Sequence, residues 1–435
     1  MRRGFWPRGK LLAILGIVLL YLAVGGTFWL LATAGDIKRL APTPIQVAGN
    51  DSLPELAPST LDVNMHLSAA AAFFRDNLLQ NNGHIDLYRR ATSNGTVADD
   101  NDTNSEAVSY YLLWTAQAKE KTAFDKELSY VQEKMVQPVG GYLQWRLTVN
   151  DTVVRDGGNI ASDADLRAIK ALLVAERQWG DQQYTDMITQ LAKGLERTAI
   201  TKDDLLAPYG GMSGTTPWTA NESYISYSDF AVFRELSRRR GEPWTTVYAK
   251  MKAAVLGAQI QNGLYNSQLT ASRQYGNGID GGGYSINSMW IMVRNAESGD
   301  PDLVASANRS LAFYKQQFAR NAELDTLYSS NGDALSSGDS PWAYALIGRA
   351  AIALGDTGFS DAMMAKLLAK QVTACSSSIY GAFPEGDAKG SRIGQFTMQE
   401  AILTMQDYLS SRGEEASFQG PALTMAELCK KGAQQ

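Results

Sequence analysis

The sequence predicts an all-α fold: an (α/α)6 toroid of six helical hairpins, preceded by one N-terminal transmembrane helix. Three observations lead there. At intervals of roughly 50 to 60 residues a polar or glycine-rich stretch runs straight into a helical pattern: Thr103–Glu106, Ala161–Asp165, Asn221–Tyr224, Ile279–Tyr284, Ser340–Trp342 and Lys389–Arg392. After each of the first five, a helix, a very short turn and a second helix follow, and a hairpin of this kind cannot bury its apolar face unless its neighbours stack on it. Loops between hairpins are long, whereas turns within them are tight, which gives a ring one functional face and one structural face. If the first and last helices pair to close the ring, the six lead-in segments lie at one mouth.

Taken in order, residues 1–10 form a basic tail (Arg2, Arg3, Arg8, Lys10), and 11–34 run without a charge. That run is long enough to span a bilayer. The basic flank places the N-terminus in the cytoplasm and everything beyond residue 34 outside. A cleaved signal peptide is the alternative, because Ala32, Thr33 and Ala34 make a small-residue cleavage site, and the protein would then be secreted. A linker bearing Pro, Ser and Asn covers 35–62, and 63–435 form one extracytoplasmic domain. Helical periodicity within it marks helices near 64–80, 104–119, 121–136, 162–179, 181–197, 225–239, 243–260, 284–298, 301–320, 340–355, 357–373 and 395–411. The turns inside the pairs contain Gly just past one helix and Asp or Pro opening the next, as at Trp179–Asp181, Ser298–Pro301 and Leu354–Asp356. Alternation of the strand type is scarce.

Composition removes several classes of function. A formal net charge of −5, with no large basic cluster beyond the N-terminus, argues against nucleic acid as a partner. Arg238, Arg239 and Arg240 close a helix, where cations suit the dipole. The chain has two histidines, His66 and His84, both before the first lead-in, so a Ser-His-Asp triad or a histidine-rich metal site is poorly supported. No cofactor and no metal site are indicated. Cys375 and Cys429 would lie outside the membrane, where they can either pair or remain as free thiols. The glycine-rich stretch 276–283 follows no strand and does not suggest a phosphate cradle.

Two lead-ins carry acids. Glu106 falls in the first turn of a helix, either returning a hydrogen bond in a capping box with Thr103 as N-cap or standing as a carboxylic acid at the mouth of a cleft. Asp163 and Asp165 open the next inner helix, where they either cap it or meet a ligand such as sugar hydroxyls or a metal.

Residues 161–179, with both acids, resemble the signature segment of glycoside hydrolase family 8. Ser105–Tyr110 (Ser-Glu-Ala-Val-Ser-Tyr) resembles that family's Ser-Glu-Gly-x-Ser-Tyr motif, Leu143–Arg146 its Leu-x-Trp segment, and Glu222–Tyr224 its Pro-Ser-Tyr element. The resemblance covers about residues 65–409. It implies an (α/α)6 toroid and an inverting endo-acting glycosidase, with Glu106 as general acid. Asp163, Asp165, Trp145 and Tyr224 would then be substrate-binding residues. The sequence departs from the family where the base is usually found, in a Tyr-Asp-Ala-x-Arg motif. Tyr284–Ser288 align there, so Ser285 replaces the Asp and Ser288 the Arg. Asp280, in the glycine loop four residues before Tyr284, is the candidate base; its other reading is an ordinary Asp-Gly turn. Asp229 is a weaker candidate. Trp218, Trp290 and Trp342, in or next to lead-ins, are either sugar platforms or packing residues. The expected role is hydrolysis of a polysaccharide outside the membrane, such as an exopolysaccharide or a β-glucan, with an exopolysaccharide synthesis machinery as a candidate partner. Loss of the family Asp leaves a second reading, a non-catalytic polysaccharide-binding accessory of such a system.

Overall fold

In the computed structural model, which describes residues 57–415 apart from 155–156, 337 and 388–389, the repeat pattern becomes twelve α-helices. They are α1 (Thr60–Asn77), α2 (Ser105–Gln117), α3 (Lys121–Tyr130), α4 (Ser162–Trp179), α5 (Gln182–Thr198), α6 (Phe230–Arg240), α7 (Trp244–Ala258), α8 (Ile286–Glu297), α9 (Pro301–Asn321), α10 (Pro341–Ala353), α11 (Thr357–Leu368) and α12 (Gln395–Ser411). Seven start on a side-chain cap: Ser59, Asn104, Asp229, Ser285, Asp300, Ser340 and Asp356 each accept a backbone N–H of the first turn. Between α4 and α5, Gly180 takes φ 72°, and its N–H closes on the Glu176 carbonyl, so the chain reverses within two residues.

Packing sorts the helices into two rings. The even-numbered helices touch in order, α2 on α4, α6, α8, α10 and α12, and α12 returns to α2. Each has an odd-numbered partner outside it, and α1 packs on α12 to complete the set. Sequence chemistry follows this division. The inner helix α10 is buried from Pro341 through Ala351 apart from Trp342. The outer α5 buries one stripe, Tyr184, Met187, Ile188, Leu191 and Leu195, at helical spacing. The chain therefore forms the expected (α/α)6 toroid. Among the described residues no helix is long and apolar enough to cross a membrane. The span expected at 11–34 and Cys429 both lie outside the described residues.

Helix boundaries differ from expectation in three informative places. Helix α1 begins at Thr60 because Ser59 caps it. The helix expected over 121–136 ends its last turn as a π-helix at Val131–Met135. The one expected over 225–239 starts at Phe230, because Ile225–Tyr227 form a 3-10 turn and Asp229 is the cap.

The lead-ins also hold short strands that periodicity did not reveal. They are β1 (Tyr88–Thr92), β2 (Gly95–Asp100), β3 (Thr103–Asn104), β4 (Arg146–Leu147), β5 (Ile160–Ala161), β6 (Tyr209–Ser213), β7 (Thr216–Thr219), β8 (Ser223–Tyr224), β9 (Gln268–Leu269), β10 (Tyr275–Gly276), β11 (Glu385–Asp387) and β12 (Gly390–Gly394). Strand β1 pairs antiparallel with β12, Tyr88 opposite Gly394 and Arg90 opposite Arg392, so the first and last hairpins are joined in one four-stranded sheet, β11-β12-β1-β2.

Candidate active site

Glu106 is placed by three layers of local structure. Strand β3 pairs with β4 (Thr103 opposite Leu147), which brings the Trp145 backbone to the helix start, where its carbonyl accepts from Ser105 N at 2.9 Å. Asn104 then caps α2 through Ala107 N at 2.8 Å and donates from its amide to Glu106 at 3.1 Å. The capping-box alternative does not form: Thr103 sits in the ladder, and its hydroxyl caps nothing. Glu106 is thereby free to face the mouth.

Its carboxyl is pushed up to about 8. Burial is the main cause and the negative charge of Asp163 the next, opposed by the Arg167 guanidinium and by a hydrogen bond from the Trp145 side chain. Asp163 binds Arg167 at 3.0 Å through one oxygen. Its other oxygen has no protein donor, and the Asp163 carboxyl lies within hydrogen-bond reach of Glu106, so a protonated Glu106 can donate to it. The Arg167 guanidinium in turn lies 3.9 Å above the ring of Tyr110.

These groups line a cavity of about 270 Å³, to which five inner helices contribute at their N-terminal ends and the sixth through the turn before it. Glu106 and Tyr110 come from α2, Asp163 and Arg167 from α4, and Ser226 and Tyr227 from the turn before α6. Asn287 and Trp290 come from α8, Trp342 from α10 and Phe396 from α12. Trp342 and Phe396 stack at 5.9 Å, forming a flat aromatic wall. The Ser226 hydroxyl and the Trp342 indole N–H have no protein partner, an unsatisfied set that a polyhydroxylated ligand would complete.

In the order of the inner ring, α8 lies three helices from α2 in either direction, and Asp280 is tied to the start of α8. Gly281 and Gly282 take φ of 66° and 93°, turning the chain so that Asp280 folds back onto the helix. One carboxylate oxygen accepts from the Ser285 hydroxyl and from the Asn287 amide, the latter at 2.7 Å; the other oxygen has no partner. Ser285, which also caps α8, therefore ties the Asp280 carboxylate to the start of that helix.

Other expected residues lie elsewhere. Asp165 is fully buried and accepts from Leu143 N at 3.1 Å, fixing the loop that carries Trp145; it does not line the cavity. Asp229 is buried as the α6 cap and pairs with Arg294 at 2.8 Å. Burial would raise its carboxyl, but Lys170 and Arg294 outweigh that and hold it below the usual range. Ser288 is buried and accepts from Tyr265 N at 2.9 Å. His84 is enclosed by Asp151 and the Asn101 carbonyl, and His66 pairs with Gln371. Tyr224 is half-buried in an aromatic series, Trp218–Tyr209–Tyr224–Tyr227, with successive ring centroids 6.3, 6.5 and 5.3 Å apart. Trp218 and Tyr209 are its exposed end, and Tyr227 reaches the cavity. Sequence reasoning missed Tyr110, Arg167, Ser226, Tyr227, Asn287 and Phe396. Tyr110 and Arg167 carried a usable signal, since each follows its acid by one helical turn.

Comparison with known proteins agrees with this fold. The family profile of glycosyl hydrolases family 8 matches residues 61–290, just over half of the chain. The endoglucanase of Escherichia coli (strain K12) is 30% identical over 169 residues, which is 35% of this chain and 44% of that protein. The chain thus spans less than half the length of the curated relatives it matches. Among solved structures, an alpha-amylase from Clostridium perfringens superposes with a TM-score of 0.68 at 23% identity, covering 79% of this chain and 98% of its own. A xylanase from Teredinibacter turnerae gives 0.60 at 16%, covering 81% and 94%. Family profile, toroid and acid-bearing mouth together assign the chain to glycosyl hydrolase family 8.

Proposed function

We propose that the protein is an inverting glycosidase that cleaves inside a polysaccharide chain, with Glu106 as general acid and Asp280 as general base. The observation that carries this reading is the pairing of a proton-retaining Glu106 with a carboxylate tethered to the opposite helix of the ring. A general acid has to hold its proton at working pH until the glycosidic oxygen takes it. The base removes a proton from water attacking the other face of the sugar, so the two carboxyls stand apart, on the order of 6.5–9.5 Å in inverting enzymes. Asp163, paired with Arg167, would bind hydroxyls of the sugar at the cleavage point, and Trp145 and Tyr224 would orient neighbouring rings. Hydrolysis of the cell's own exopolysaccharide outside the membrane, to which the apolar run at 11–34 would anchor the protein, fits this chemistry.

The test is reducing-end release by the full-length protein from β-glucans, chitosan, an α-glucan and the producer's own exopolysaccharide. The α-glucan is included because the Clostridium perfringens relative in fold is an alpha-amylase. Glu106→Gln and Asp280→Asn should each lower kcat by roughly 10²–10⁴ on the substrate that is cleaved. Full activity in Glu106→Gln would overturn the assignment of the acid. Binding without release by wild type on every substrate would favour the accessory reading.

A further inference from the structure

The axis of the toroid is filled by charge. Arg349 serves three acids, Glu297 at 2.6 Å, Glu400 at 2.9 Å and Asp407 at 3.1 Å. Lys170 reaches Glu297 at 2.6 Å, and Arg294 reaches Asp229 at 2.8 Å. A further cation, Arg167, lies at the acid-bearing mouth and is 4% exposed. A guanidinium does not give up its proton, so a buried one has to be matched by an anion and by acceptors.

The contacts of Arg167 reach both acids of the mouth. One terminal nitrogen donates to Asp163 at 3.0 Å, and the other donates to the Ser109 hydroxyl at 3.2 Å. Ser109 in turn donates to the backbone carbonyl of Glu106 at 2.9 Å. One planar fork thus ties the side chain of the first acid, on α4, to the backbone of the second, on α2. Two rings hold the fork in place: its central carbon lies 3.9 Å from the centroid of Tyr110 and 5.8 Å from that of Trp290. Asp163 is not spent on its own helix, since α4 starts without a side-chain cap. Its second oxygen has no protein donor, so the ion pair with Arg167 is what sets the direction of the carboxyl.

We infer that Arg167 is a positioning residue for the acid pair, pinning the Asp163 carboxyl beside Glu106 so that two neighbouring carboxyls keep different roles. The inference rests on the reading of Glu106 as general acid. Two carboxyls within hydrogen-bond reach share their protons, and with nothing to distinguish them the proton can sit on either. A cation paired with one member favours the charged form of that member and leaves the proton to the other. The proton then waits on the group that has to deliver it to the glycosidic oxygen.

The titratable and charged groups facing Glu106 are Asp163 and Arg167 from α4, Tyr227 from the turn before α6 and Tyr88 from β1. Arg167 itself is faced by Tyr110 from α2 and Glu400 from α12 as well as by the two acids. Among the groups around Glu106, Arg167 is the cation that pulls its carboxyl down, so removing it should move the titration of Glu106 upward.

The experiment has two arms, both on the full-length protein in detergent. The first is a double-mutant cycle of Arg167→Met and Asp163→Asn, read as kcat and KM on the substrate that is cleaved. Arg167→Met alone should lower kcat on the order of 10-fold, the scale of coupling between residues in contact, and should cost almost nothing further once Asp163→Asn is present. Arg167→Lys, which returns the charge without the fork, should recover part of the loss. Losses that simply multiply in the double variant would overturn the inference, because a structural role alone gives that result.

The second arm needs no turnover. With glutamate labelled at its carboxyl carbon, the Glu106 resonance is assigned by its absence in Glu106→Gln and titrated by NMR. Its midpoint should lie at about 8 in wild type, higher in Arg167→Met, and back towards the wild-type value in Arg167→Lys. A midpoint that stays or falls in Arg167→Met would overturn the inference. Arg167→Gln, which also removes the charge, takes the place of Arg167→Met in both arms if the latter does not fold. If no substrate is cleaved by wild type, the glycosidase reading fails, and the titration still decides the role of Arg167.

Discussion

Asp163 and Asp165 show what a residue's position on a helix decides. They are two apart, and residues two apart on a helix face different ways. One reaches the cavity, and the other turns back to cap a loop. A linear motif shows two acids and not this difference, which is why both read as ligand residues. Glu106 yields a sharper expectation. Its folded-state pKa of about 8 lies above the ordinary value of 4.5, so the proton is held in the fold. In its proposed role as the acid, Glu106 keeps its proton below about 8, and kcat/KM should fall as pH rises through that value. The linked effect on stability has the same sign: it is fully present below about 4.5 and declines as pH climbs towards 8. Glu106→Gln should therefore lose activity yet gain stability relative to wild type over that window, as urea unfolding at several pH values will show. At the start of α8, moving the carboxylate to the position where the resembled motif has its Asp is a direct check. Ser285→Asp in an Asp280→Asn background should recover part of the lost kcat if a carboxylate at this spot is what the reaction needs.

At the scale of elements, helices were legible because caps and period reinforce one another. Asp300 followed by Pro301, and Ser340 followed by Pro341, mark helix starts that the fold confirms. The strands were not legible, since most span only two to five residues, too few to show alternation, and half of their pairings join segments far apart in the chain. Their effect is nonetheless local and chemical: the β3–β4 ladder positions Trp145 against the acid. Asn104→Ala removes both the cap of α2 and a hydrogen bond to Glu106. It should cost about 1 kcal/mol in stability and also lower kcat, a pairing that a capping role alone would not give. The glycine turn after Asp280 makes a complementary case. Ala at Gly282, where φ is 93°, meets no neighbouring atom but strains the backbone. The expected result is a fall in kcat larger than the loss of stability would account for, checked by comparing initial rates with the Tm of the same sample.

For the molecule as a whole, the ring itself was readable from six lead-ins and five tight turns, whereas the charged axis was not. Lys170, Arg294, Arg349 and Glu400 come from four different helices, and nothing in their local sequence says that they meet. Arg349→Met removes the one cation shared by three acids and should destabilise the fold by about 3–5 kcal/mol, measurable by denaturant unfolding, without touching the cavity at the acid-bearing mouth. The clasp between β1 and β12 has a different consequence. The Arg392 guanidinium rests 3.3 Å over the Tyr88 ring, and the Tyr408 hydroxyl reaches the Pro58 carbonyl at 3.4 Å, so the first and last helices of the ring leave it side by side. Such a ring is indifferent to where its chain is cut. Joining residue 58 to residue 411 by a short linker and opening the chain at the turn between α4 and α5 would give a circular permutant with every hairpin but one intact, and with the Glu106-bearing mouth facing away from the new ends.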